Sequence, residues 1–268
     1  MKVVFLEPTF PEIHADDVIF PFGYAYLGAV LQRAGHKVEY VIPAVDRLAL
    51  QDVVDHIAGI DTDLIGIGGL IPYFSAIIRL VRMIKAVRSD IPIVLGGPMV
   101  TYMPEQVLKK TGTDFCIAGE GEIALLKLVN CLESRHDYSY IPGLVFQRDG
   151  QIINNGMGES MPFEDIPMPN WADFSMEFYM YSDWWLPKWS RVKPKRVFTW
   201  MFSRGCPMKC NFCASGCEAR YKTVNQSMAE LRNIVDRFDP DYMMFVDNFL
   251  TLNKKYTFQN ILYIQLLL

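Results

Sequence analysis

Three cysteines carry the most chemistry in this sequence. Cys206, Cys210 and Cys213 fall in the run Arg204-Gly-Cys-Pro-Met-Lys-Cys-Asn-Phe-Cys-Ala-Ser-Gly, at C-x3-C-x2-C spacing. A thiolate is a soft, anionic ligand, suited to iron–sulfur clusters and zinc rather than to magnesium or calcium. Gly205 and Pro207 break regular structure there, so the run reads as a loop wrapped around a metal centre. Structural zinc sites usually pair two C-x2-C knuckles about a dozen or more residues apart. Ferredoxin clusters use C-x2-C-x2-C with a fourth ligand from further along, which ligates the cluster fully. Here three thiolates arrive together, and Cys217 follows four residues later. Free cysteines are often simply buried small hydrophobes, but three of the six packed into eight residues favour a metal.

Such a loop needs a scaffold, and the chain is long enough to build one. Its 268 residues, 51% hydrophobic and 21% charged, read as one large or two ordinary globular domains. The net charge of −4 argues against general nucleic-acid binding. Residues 186–222 nevertheless hold nine Lys or Arg and one acid, Glu218, around the cysteines. That basic stretch either offsets charge at a cluster or is a solvated face. The N-terminus shows no leader pattern, and no apolar run approaches the ~20 residues of a membrane span. A cytoplasmic, reducing location is expected, consistent with cysteines used for metal rather than disulfides.

The first half alternates between two periods. Short apolar runs at 3–6, 38–42, 64–67, 93–95 and 115–118 read as buried strands. Helical spacing falls at 23–34, 50–58, 76–89, 104–110 and 123–134. The expected fold is α/β, a doubly wound parallel sheet, whose ligands sit beyond the carboxyl ends of the strands. Those ends hold three candidate ligand-binding clusters: Gly68, Gly69 and Leu70; Gly96, Gly97 and Pro98; Gly119, Glu120 and Gly121. None is a dinucleotide fingerprint and no P-loop lysine follows.

A connector comes next. Asp149-Gly150 predicts a hairpin turn, and 157–195 is rich in Pro and aromatics, among them Trp171, Phe174, Phe178, Tyr179, Tyr181, Trp184, Trp185 and Trp189. These rings either cover a planar ligand or pack between domains. Residues 196–202 read as a strand feeding the cysteine loop. Residues 227–238 read as a helix with Ser227 as N-cap and Glu230 in its capping box. Residues 242–246 form the next strand, ending at Asp247.

The cysteine spacing, with Phe212 before the last cysteine, resembles the signature of radical S-adenosylmethionine enzymes. The resemblance implies a four-iron cluster held by Cys206, Cys210 and Cys213. Its open iron would chelate S-adenosylmethionine, which one electron splits to an adenosyl radical. Leu95-Gly-Gly-Pro, Gly119-Glu-Gly-Glu, Ile141-Pro-Gly-Leu-Val-Phe and Ile166-Pro-Met-Pro resemble the cobalamin-dependent branch of that family, a likeness running from Met1 to about Lys255. It implies a flavodoxin-like cobalamin-binding domain at 1–140, a hairpin and connector at 141–194, and the start of a partial (β/α) barrel at 195–268. The glycine clusters would then face the corrin, and Asp247 the ammonium of S-adenosylmethionine, although a strand-end Asp is also a common helix cap. The Asp-x-His-x-x-Gly cobalt-ligating loop is missing: His14 precedes Ala-Asp-Asp, so no protein histidine is expected on cobalt.

An enzyme is therefore expected, one that transfers methyl groups to an unactivated carbon of a small molecule. It would be served by an electron donor such as flavodoxin or ferredoxin. Cyclisation or rearrangement is the alternative reaction. A methylthiotransferase would need further N-terminal cluster cysteines, and Cys116 and Cys131 alone do not supply them. A binding module without turnover is the non-enzymatic rival, because two barrel strands stand where the family has about six. Either a fragment or a truncated frame would give that count.

Overall fold

The computed structural model describes residues 1–8, 19–180, 196–213, 217–257 and 259. The described chain divides into two units, Met1–Met161 with Ile166–Ser175, and Pro162–Asp165 with Met176–Leu268.

The first unit is built on seven strands: β1 (Lys2–Leu6), β2 (Lys37–Val41), β3 (Leu64–Gly68), β4 (Ile93–Gly96), β5 (Phe115–Ile117), β6 (Leu144–Arg148) and β7 (Gln151–Asn154). They lie in the order β2-β1-β3-β4-β5-β6-β7. The first five pair in parallel, and β6 and β7 add antiparallel. The reversal of strand order between β1 and β3 is the switch point of a doubly wound sheet. The expected hairpin at Asp149-Gly150 is real, with both residues at positive φ, but it extends this sheet rather than serving as a separate connector.

Strand β1 shows why the fold must have two covered faces. Val4 and Leu6 join one apolar cluster, Val3 and Phe5 the other. The first cluster takes Val53 and Ile57 of α3 (Leu50–Gly59), Ile77, Leu80 and Ile84 of α4 (Phe74–Val87), and Val107 of α6 (Pro104–Thr111). The second takes Leu31 of α1 (Phe22–Arg33) and Leu125, Leu128 and Val129 of α7 (Gly121–Ser134). Two short helices, α2 (Pro43–Asp46) and α5 (Pro98–Tyr102), fill turns after β2 and β4. Strands buried on both faces must be apolar at successive positions, which is why they read as unbroken runs.

Trp171 and Phe174 pack within this unit, 5.5 and 5.0 Å from the Phe20 ring, with Phe174 also 4.4 Å from Tyr40. Trp171 is fully buried, so neither ring is free to cover a planar ligand. Tyr181, Trp184, Trp185, Trp189 and His14 lie outside the described residues.

The second unit contains α8 (Met176–Met180), β8 (Val197–Trp200), a hairpin of β9 (Ser203–Cys206) and β10 (Cys217–Tyr221), α9 (Val224–Phe238) and β11 (Tyr242–Phe245). Strands β8 and β11 pair in parallel, as a β–α–β connection through α9 requires. The helix starts earlier than its spacing predicts. Its N-cap is Thr223, whose Oγ1 accepts from Gln226 N–H at 3.2 Å while Gln226 Oε1 accepts from Thr223 N–H at 3.0 Å. Ser227 and Glu230, expected as the cap pair, are instead buried on the inner face of α9. No described helix is long and apolar enough to cross a membrane.

Candidate functional site

The cysteines sit on the β9–β10 hairpin, an element the sequence reading did not anticipate. Cys206 closes β9 and is half-exposed; Cys210 and Cys213 are exposed on the connecting loop. Gly205 lies at φ +84°, a conformation that disfavours any side chain, and it turns the chain into the loop. Cys213 N–H donates to Cys210 O at 3.0 Å, so the last two ligand candidates share one tight turn. Phe212 is 93% exposed. The donor set suits an iron–sulfur cluster: one half-exposed thiol at the end of β9 and two exposed thiols on the loop that follows, none in a disulfide. Among the described residues no three Cys, His, Asp or Glu converge to metal-binding distance. The hairpin thus presents the ligands without closing around a centre. Cys116 and Cys131 are buried in the first unit, where burial pushes the Cys116 thiol up to about 12, well outside thiolate chemistry.

The hairpin is held from beneath by two polar clamps. Asp247, just past β11, accepts at Oδ1 from Ser203 N–H (2.6 Å), Ser203 Oγ–H (2.5 Å) and Phe202 N–H (3.1 Å). Those donors fix the start of β9, while Oδ2 accepts from Phe202 N–H at 3.2 Å and keeps lone-pair capacity for a further donor such as a ligand ammonium. The second clamp joins Lys222 to Glu230, both buried, with Trp200 Nε1–H donating to the same carboxylate oxygen at 2.9 Å. The Lys222 ammonium also lies 4.7 Å from the Trp200 ring and 5.4 Å from Phe163, while Arg204 lies 5.3 Å from Phe163. At Lys222 the basic stretch is therefore not a solvated face. Beside the loop, an open cavity of about 670 Å³ is lined by Pro207, Glu218, Tyr221, Leu252, Asn253 and Lys254.

Burial raises the Asp247 pKa above its ordinary value, partly offset by the Ser203 and Phe202 hydrogen bonds. The folded chain then holds that proton more tightly than the unfolded chain. Its contribution to stability is present below the ordinary Asp pKa of about 3.9 and is lost as pH rises through the folded value. Relative to Asp247→Asn, which keeps an acceptor but cannot ionise, the wild-type apo chain should lose stability as pH rises above the ordinary Asp value of about 3.9. Urea midpoints of both proteins across that range check this; a constant difference, or the opposite slope, contradicts it.

In the first unit the three glycine clusters fall side by side, because β3, β4 and β5 are neighbours. Gly68 ends β3, and its N–H donates to the buried Tyr24 hydroxyl at 2.5 Å, which also lies 3.0 Å from Leu6 O. Tyr24, unremarked in the sequence, thereby ties the ends of β1 and β3 together. Gly69 N–H donates to Gly96 O at 3.3 Å, and a Cβ at Gly69 would strike Ile77. Gly97 lies at φ +87°, where an added Cβ would stand 3.1 Å from the Gly69 backbone, and Pro98 opens α5. Gly119 N–H donates to Thr101 Oγ1 at 3.1 Å, Glu120 is the N-cap position of α7, and Gly121 packs on Leu27. Most of these glycines are thus explained by close packing. Gly96 is the exception, since a Cβ there would meet nothing within 4 Å. Around this edge Leu70, Ile71, Tyr102 and Met103 are exposed apolar side chains. An open glycine with an apolar rim suits a large flat ligand laid on the carboxyl edge of the sheet.

A B12 binding domain model matches residues 13–129. The chain is 30% identical over 233 residues to an anaerobic magnesium-protoporphyrin IX monomethyl ester cyclase of Synechocystis, covering 83% of this chain and 44% of the relative. It is 28% identical over 241 residues to an uncharacterized methyltransferase of Pyrococcus horikoshii, PH0819, covering 88% and 50%. The radical S-adenosylmethionine methyltransferase TsrM of Kitasatospora setae, solved with tryptophan and an S-adenosylmethionine analogue, superposes with a TM-score of 0.77 at 15% identity, over 98% of this chain and 50% of that one. The cobalamin-dependent enzyme OxsB, solved with aqua-cobalamin and S-adenosylmethionine, gives 0.75 at 18% identity, over 92% and 34%. These two structures establish the shared fold. The chain spans about half the length of the curated relatives it matches.

The chain matches a B12 binding domain, carries a three-cysteine hairpin, and is similar in sequence and fold to members of the cobalamin-dependent radical S-adenosylmethionine family. Named relatives in that family are methyltransferases and cyclases.

Proposed function

We propose that this chain is the cofactor-bearing part of a cobalamin-dependent radical S-adenosylmethionine enzyme that methylates an unactivated carbon of a small molecule. One observation carries the reading: a B12-binding sheet and a C-x3-C-x2-C hairpin stand on the same chain. Cys206, Cys210 and Cys213 would hold a four-iron cluster. The edge formed by Gly68–Gly69–Leu70, Gly96–Gly97–Pro98 and Gly119–Glu120–Gly121 would receive cobalamin. When bound, these groups supply one-electron cleavage of a sulfonium and a transferable methyl group.

This chain's own residues do the holding. Asp247 and Ser203 set the line of β9, Lys222 and Glu230 support the opposite side of the hairpin, and Gly205 aims the chain into the ligand loop. Glu218 and Lys254, of opposite charge, line the cavity beside Pro207 and suit an amino-acid zwitterion. Leu70, exposed at the sheet edge and without a ligating atom, would present an apolar surface to the corrin. The second reading, ring closure in place of methyl transfer, draws on the 30% identity to the Synechocystis cyclase.

Anaerobic reconstitution with iron, sulfide and cobalamin tests the class: corrin and cluster absorbance should appear on one chain, and loss of either band overturns it. The corrin edge has its own test. Gly96→Val points into open space and should leave the urea midpoint near wild type while weakening cobalamin binding at least about tenfold, roughly 1.4 kcal/mol. Gly97→Ala should destabilise the first unit by about 1–2 kcal/mol through its left-handed backbone. Unchanged cobalamin affinity in Gly96→Val would move the ligand off this edge.

A further inference from the structure

The register of the β9–β10 hairpin seats Cys217 directly opposite Cys206. Directly opposed residues of an antiparallel pair have Cα atoms about 4.5 or 5.5 Å apart. Both separations fall within the about 4.4–6.8 Å that a disulfide spans. The bulge in this ladder lies between Cys217 and Arg220, so it does not displace the pair. No other described pair of cysteines is opposed in this way: Cys116 faces Leu95 and Val145, and Cys210 and Cys213 lie outside the strands. Only ten residues separate the two positions, so closing the loop between them costs little chain entropy.

We propose that Cys206 and Cys217 are a redox couple, in which a small-molecule disulfide such as oxidised glutathione closes a cross-strand bridge and withdraws Cys206 from metal binding. One protein thiolate attacks a sulfur of the small disulfide, whose S–S bond breaks and releases one thiol. The second protein thiolate then attacks the resulting mixed disulfide and releases the other thiol. Two protein thiols are oxidised by two electrons, and one small disulfide is reduced to two thiols. Half-exposure of Cys206 gives the oxidant access to the pair. The bridge rests on strand register alone; its consequence for iron rests on the cluster reading above, and the two are measured separately.

The full chain, reduced anaerobically and freed of metal, is treated with oxidised glutathione, then alkylated and digested without reductant. The expected result is loss of two free thiols and a single cross-linked peptide joining Cys206 to Cys217. In Cys217→Ser and Cys206→Ser the bridge is absent and glutathione adducts replace it, with circular dichroism confirming that each variant is folded. A bridge mapped from Cys206 to Cys210 or Cys213, or adducts alone in the wild type, overturns the couple. Iron loading is the second readout. Oxidised wild type should take up less than about a tenth of the iron of reduced protein while carrying no glutathione adduct, dithiothreitol should restore it, and in Cys217→Ser any loss of iron should match the fraction of chains with an adduct at Cys206. A bridged chain that loads iron fully overturns the withdrawal of Cys206 and leaves the bridge itself standing.

Discussion

Alanine at Cys206, Cys210 or Cys213 is expected to cut iron incorporation from about four atoms per chain to well under one. Each thiolate would hold one iron, so a cubane short of one of the three is left with two thiolates, and Cys217, the other cysteine of this unit, stands on β10 opposite Cys206 rather than on the ligand loop. Cys116 and Cys131 cannot substitute, because both are buried in the first unit. Cys217→Ser should retain wild-type iron and sulfide under reducing conditions, since three thiolates leave one iron open and four would close it. Iron and acid-labile sulfide assays, with the low-temperature paramagnetic spectrum of the reduced protein, measure this. Full iron in any of the three alanine variants, or stoichiometric zinc with no iron in the wild type, would sink the ligand assignment.

Lys222→Ala is expected to be the most destabilising single substitution in the second unit. It leaves the Glu230 carboxylate buried with only Trp200 Nε1–H beside it. Removing one partner of a buried ion pair typically costs about 3–5 kcal/mol. It also strips a cation from the Trp200 and Phe163 rings, a contact worth about 0.5–2 kcal/mol. Lys222→Met with Glu230→Gln should recover more than half of the loss, since the pair's charges leave together and Gln keeps an acceptor for Trp200. Urea unfolding followed by tryptophan fluorescence compares the three proteins. A Lys222→Ala midpoint equivalent to less than about 1 kcal/mol, the scale of a surface pair, would show that the clamp is not a buried one.

What could be read locally was read correctly in kind. The β/α alternation follows from apolar runs and helical spacing, each a property of neighbouring residues, and the structure places its first five strands in the doubly wound order. The cysteine spacing is equally local and marks the hairpin loop. Strand-end glycines were legible as a set, but their reasons were not. Gly69 is small because of Ile77 and Gly68 because of Tyr24, residues 8 and 44 positions away. Only Gly96 is left open, and nothing in the sequence separates it from its neighbours.

The start of α9 shows the limit most clearly. Thr223-x-x-Gln226 and Ser227-x-x-Glu230 both fit a capping box, and local pattern cannot choose between them. The fold chooses the first, because Glu230 is drawn inward by Trp200 and Lys222 and cannot also reach back to a helix terminus. Asp247 likewise reads in the sequence as an acceptor for a ligand ammonium or as a helix cap, and only the β8–β11 pairing brings Phe202 and Ser203 against it. The sequence by itself determined the soft-ligand types and the alternating architecture, since these depend on composition and short spacing, while the cofactor class followed from the resemblance its motifs carry. Tertiary structure alone decided which charges are buried in pairs, which glycine faces open space and which cysteine stands across from Cys206. Those depend on contacts between residues distant in the chain, and a buried polar group takes whichever partner the packing brings to it.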